Sequence, residues 1–95
     1  MKKHALSTYN QQIVVARYMS NHGSINRYGA EPEGVCSLAA RILDLKDKGF
    51  IIDDKREEAT DSFGIKHKGI SRYWFDYKAM TQEQIEKLNK LLGKS

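Results

Sequence analysis

A chain with one cysteine cannot close a disulfide on itself, so Cys36 excludes a stapled secreted scaffold and fits a reducing compartment. No apolar run approaches the roughly 20 residues of a bilayer-spanning helix. The start, MKKHALSTYNQQ, lacks the apolar stretch of a secretory leader. A cytoplasmic protein with no membrane contact is the expectation. A polybasic tail is missing as well: the net charge of +4 is spread as +2 over residues 1–34, +1 over 35–56, 0 over 57–78 and +1 over 79–95. Any anion-binding patch must therefore be assembled by folding.

The signatures of catalysis are absent too. His4, His22 and His67 are scattered without the Cys/His spacing of a zinc site. There is no glycine-rich phosphate loop after a strand and no nucleophile elbow. Cys36 has no histidine placed beside it by a motif and reads as a packed core thiol. Neither an enzyme nor a cofactor is expected.

What remains is an ordinary globular composition, 40% apolar and 29% charged, in 95 residues that make a single domain. The first ordered region is a helix from about Thr8 to Asn21, with Ser7 or Thr8 as cap and NHGS as its stop. Tyr9, Ile13, Ala16 and Met19 share one of its faces, and Val14 and Tyr18 lie roughly opposite, so it needs cover on two sides. Ile25 suits a very short strand and Asn26 to Ala30 one or two helical turns, before a turn at Pro32. A helix over 37–48 follows, with Ser37 or Cys36 as cap, Lys46 and Lys48 at its negative end and Gly49 as left-handed stop.

FIIDD opens a strand and GISRYWFDY forms a second, with Tyr73, Phe75 and Tyr77 on one side and Ile70, Arg72, Trp74 and Asp76 on the other. The polar stretch between them reads as the long tip of a hairpin. A last helix over 81–92 opens with Thr81 and Gln84 at capping-box spacing and carries the stripe Ile85, Leu88, Leu91 and Leu92.

Helix, short helix, turn, helix, β-hairpin and helix is an α+β order, the winged helix-turn-helix arrangement: a three-helix core, a hairpin wing and an added C-terminal helix. SLAARILDLKDKGF with its aromatic return strand resembles the small helix-turn-helix domains common in phage and prophage proteins, through Leu38, Ala39, Ala40, Arg41, Ile42, Leu45, Gly49 and Phe50. The resemblance covers roughly residues 8–77. It implies that the 37–48 helix enters the major groove of double-stranded DNA.

On spacing alone, Ser37, Ala40, Arg41, Asp44 and Lys48 point outward from that helix. Arg41 suits guanine or a phosphate, Ser37 a phosphate, and Ala40 a thymine methyl. Asp44 opposes a purely phosphate-binding face, and an Arg41–Asp44 surface pair is the plain alternative. In the hairpin, Lys55, Arg56, Lys66, His67, Lys68 and Arg72 gather positive charge that Asp53, Asp54, Glu57, Glu58 and Asp61 counter. Trp74 shares a strand face with Arg72 and reads as core or as cover for the last helix.

The expected function is DNA binding, as a small transcriptional regulator or a phage-type accessory factor such as an excisionase. The alternative is a protein–protein module on the same scaffold, with a protein partner in place of DNA. Ile85, Leu88 and Leu92 either pair with a second copy to make a homodimer or pack inside their own chain.

Overall fold

The computed structural model describes residues 7–94, so His4 and the first six residues of the stretch read for a leader lie outside it. The chain runs α1 (Thr8–His22), α2 (Arg27–Ala30), a 3₁₀ turn (Glu31–Glu33), α3 (Leu38–Asp47), β1 (Ile52–Thr60), β2 (Lys66–Phe75), a second 3₁₀ turn (Tyr77–Ala79) and α4 (Gln82–Leu91). This is the expected α+β winged helix-turn-helix order.

Local chemistry sets the helix ends. Ser7 caps α1 by accepting from the Asn10 amide at 3.1 Å, and Gly23, at φ +89°, closes it with a left-handed turn. Asn26 caps α2 through Oδ1, which accepts from the amides of Tyr28 and Gly29, both at 3.0 Å. The glycine in that short helix has a packing reason: a Cβ at position 29 would lie 2.8 Å from the Tyr18 hydroxyl of α1. Thr81 and Gln84 complete their capping box at the start of α4. Ser37 occupies the cap position of α3, but its side chain makes no capping bond.

The core joins Val15, Ala16 and Met19 of α1 to Leu38, Ile42 and Leu45 of α3, to Ile25, Phe50, Ile52 and Phe75 around the hairpin base, and to Leu88 and Leu92 of α4. The inward face of α1 is thus rotated from the expected one. Val15 takes the centre, and Tyr9 is left 55% exposed, because α1 docks on α3 through its 12–15–16–19 stripe.

Other expectations are corrected. Cys36 is exposed rather than core, since Val35 and Leu38 take the buried positions on either side of it. The polar stretch read as a long hairpin tip is mostly paired strand: β1 reaches Thr60, β2 begins at Lys66, and only residues 61–65 turn. Charged side chains stand on both solvated faces there, which hides the strand alternation. Trp74 is half-buried opposite Asp53 and lies outside the buried core cluster. Tyr77 has left the strand for the second 3₁₀ turn. The α4 stripe is spent within the chain: Leu88 is 1% and Leu92 8% exposed, and Ile85 packs on the same cluster. A homodimer through Ile85, Leu88 and Leu92 has no free stripe to use.

Leu45 is fully buried where α3 meets α1. Leu45→Ala is expected to destabilise the protein by about 2–5 kcal/mol, read as a lower denaturant midpoint in chemical unfolding.

Candidate nucleic-acid interface

One turn of helix advances 3.6 residues, so the direction of each α3 side chain follows from the buried line Leu38, Ile42 and Leu45. Ser37, Ala39, Leu43, Lys46 and Asp47 are exposed, while Ala40, Arg41, Asp44 and Lys48 are half-buried. The face expected to point outward is mostly the flank beside α1. Arg41 Nε donates to Asp44 Oδ2 at 2.8 Å, and Gln12 Nε2 of α1 donates to the same oxygen at 3.2 Å. The Arg41 side chain is only 16% exposed. The Lys48 ammonium sits 5.5 Å from the centre of the Tyr9 ring. Polar character on this helix marks the seam with α1 as much as the solvent side.

The hairpin is tied down at its base. Ile25 and Tyr73 exchange backbone hydrogen bonds, 2.9 Å from the Ile25 amide and 2.8 Å from the Tyr73 amide, so residue 25 adds a one-residue rung to the edge of β2. Beside it, Glu57 Oε2 accepts from Arg72 Nε at 2.8 Å and from Asn26 Nδ2 at 3.2 Å, and Arg72 Nη1 donates to Ser24 Oγ at 2.8 Å. Burial pushes the Glu57 carboxyl up. The bonds from Asn26 and Arg72 and the charges of Arg72 and Lys55 outweigh that and hold it below its ordinary value of 4.5.

The strand register assigns the remaining charges. Lys55, Glu57, Arg72 and Trp74 share one face of the hairpin, and Asp54, Arg56, Ser71 and Tyr73 share the other. Between the pairs Glu57–Ile70 and Ala59–His67, Lys68 and Gly69 oppose the single residue Glu58, forming a bulge with Gly69 at φ +73°. Arg56 Nη1 donates to the Gly69 carbonyl at 2.8 Å and braces it.

The tip is equally built. Asp61 Oδ1 accepts from the amides of Phe63 at 2.9 Å and Ile65 at 3.0 Å, and Oδ2 pairs with His67 Nε2 at 2.8 Å. These bonds, the His67 one foremost, hold the Asp61 carboxyl below the usual carboxylate range. Phe63 stands 87% exposed on this tip.

Between the hairpin and the start of α3 lies a groove of about 370 Å³, lined among others by Arg27, Cys36, Ser37, Ala39, Ser71 and Tyr73. A neighbouring concavity of about 390 Å³ runs from Arg27 and Tyr28 to Phe63, His67 and Lys68. The start of α3 and the hairpin flank the first of these, and the two concavities share Arg27, Glu31 and Ile70.

Residues 10–77 match the winged helix-turn-helix domain. The chain belongs to that family. The match begins two residues into α1, takes in α2, α3 and the wing, and stops before α4. Winged helix-turn-helix domains are in general DNA-binding and typically non-enzymatic. Neither the curated proteins nor the solved structures give a significant match. No described helix is long and apolar enough to cross a membrane, and the described residues hold no cluster of potential metal ligands.

In this winged helix domain Ser37, Lys55, Arg56, Lys66 and Lys68 stand in solvent, whereas His67 and Arg72 are half-buried and paired with carboxylates. The structure adds Arg27, Leu43 and Phe63 to the residues expected from the sequence. Leu43 had a legible signal, since it is an apolar residue set about 130° around the helical wheel from the midpoint of Leu38, Ile42 and Leu45, well off the buried line. Arg27 had none, because only the approach of the wing to α2 gives it a groove to line.

The depressed Glu57 carboxyl sets a pH dependence. A carboxylate with a lowered folded pKa contributes stability that is complete above its unfolded value and lost as the pH falls through the folded one. Glu57→Gln is therefore expected to lower the thermal midpoint near neutral pH. Its difference from the unaltered protein should shrink as the pH drops below about 4.5, which paired melts across an acid series will read.

Proposed function

We propose that this winged helix domain binds double-stranded DNA, with the exposed ridge of α3 in the major groove and the wing against the adjoining backbone. The observation that carries the reading is the anchored hairpin: the Ile25–Tyr73 rung and the Glu57 cluster hold a cation-bearing ribbon beside α3, across a shared groove. Two elements fixed at one spacing suit a target of fixed groove geometry.

Ser37, Arg56, Lys66 and Lys68 are the phosphate contacts in this reading, with Lys55 adding long-range attraction and Arg27 joining them from the groove. Arg41, Ala40, Asp44 and Lys48 serve the strand that passes along the α1 flank, where a phosphate competes with Asp44 for the guanidinium. His67 and Arg72 contribute by holding the wing in shape. The finer role is that of a small transcriptional regulator or a phage-type accessory factor, working in the cytoplasm.

A second reading has an observation in its favour. Leu43, 61% exposed on α3, with Asp47 exposed on the same helix, also fits a protein partner.

Fluorescence anisotropy with a random-sequence duplex separates the two. Binding at low salt, with log affinity falling linearly against log salt, is expected. The Arg56→Gln, Lys66→Gln double variant should lower that slope by about two. No binding at low salt overturns the DNA reading and favours the protein partner.

A further inference from the structure

We infer that Leu43 determines specificity by reading thymine through its C5-methyl group. The inference rests on the DNA-binding reading and adds to it what the helix recognises.

The hydrogen-bonding side chains in the middle of α3, Arg41 and Asp44, are bonded to each other, and Gln12 of α1 shares the same carboxylate oxygen. Both lie on the α1 flank, and the Arg41 side chain is only 16% exposed. The one large apolar side chain that α3 leaves in solvent is Leu43, at 61% exposure, and Ala39 one turn before it is exposed as well, with Lys46 and Asp47 beyond.

In the major groove each base pair presents donors and acceptors, and the one apolar group on offer is the C5-methyl of thymine. A ridge led by a leucine gains nothing from the polar edges, which would lose water without a partner. Against a methyl it removes apolar surface on both sides from water. The surroundings suit the duplex: Lys46 is exposed on the same helix, and Arg56 and Lys66 stand exposed on the wing.

The test starts from duplexes enriched from a random pool on the unaltered protein. They are resynthesised with deoxyuridine in place of thymidine, which deletes the methyl and keeps the hydrogen-bonding edge. The expected result is weaker binding of the uridine duplexes, by about fourfold for each methyl buried. Leu43→Ala should bind both versions alike, and Leu43→Met should retain the discrimination. Because Leu43 is exposed, the unfolding midpoint of Leu43→Ala is expected to stay unchanged, and this control identifies a folding defect.

Equal binding of both versions by the unaltered protein overturns the inference while leaving DNA binding in place. So does discrimination that survives unchanged in Leu43→Ala, which assigns the methyl effect to DNA shape. Failure of the unaltered protein to bind any duplex at low salt overturns the inference together with the reading beneath it.

Discussion

An isolated two-stranded hairpin is marginal in water, and the wing of this protein is stable because its base is held from the side. Ile25 donates to and accepts from Tyr73, giving the edge of β2 one backbone rung on the helical body. Glu57 then draws Arg72 and Asn26 onto one carboxylate oxygen, and Arg72 reaches on to Ser24. Asn26 works at both ends: its Oδ1 caps α2 while its Nδ2 holds the wing. The start of the helix-turn-helix and the root of the wing are therefore one hydrogen-bonded unit, and the groove beside α3 inherits its shape from it.

That unit also sorts the charges. Composition leaves the hairpin nearly neutral, yet Glu57 answers Arg72 and Asp61 answers His67, so two of its acids are satisfied internally. Arg56 and Lys66 stand exposed, Arg56 on the sheet face that carries Ser71 and Tyr73 to the groove. On α3 the same sorting works in the other direction. The pairing of Arg41 with Asp44 takes the helix's central charges into the seam with α1 and leaves Leu43 in front. Which charges pair thus decides what each element presents: the wing keeps Lys55, Arg56, Lys66 and Lys68 exposed alongside Asp53, Asp54 and Glu58, and α3 sets Leu43 among Ala39, Lys46 and Asp47.

Much of the architecture was legible in the residues. Ser7, the Thr81–Gln84 box, the αL glycines at 23 and 49, and the apolar line of α3 each act over a few positions, so propensity and spacing locate them. The miss on Cys36 came from a one-residue ambiguity about which of Val35 and Cys36 turns inward. The wing strands extend further than their pattern suggests, because their alternation is drowned in charges that stand in water on both faces. The candidate site was less legible than the fold. Arg41, Asp44 and Lys48 carry the chemistry expected of an outward face, but α1 docks along that flank, and a helix's polar side does not say which of its edges a neighbour will cover.

By itself, then, the sequence determined the element order, the caps and the buried line of α3, because these depend on interactions within a few residues of one another. Only the tertiary structure decided which side of α3 faces solvent, which charges of the wing stay exposed and what stands across the groove from Arg27. Those outcomes depend on pairs 31, 32 and 48 residues apart, namely Asn26 with Glu57, Gln12 with Asp44 and Ser24 with Arg72. Contacts at that separation exist only once the chain has packed.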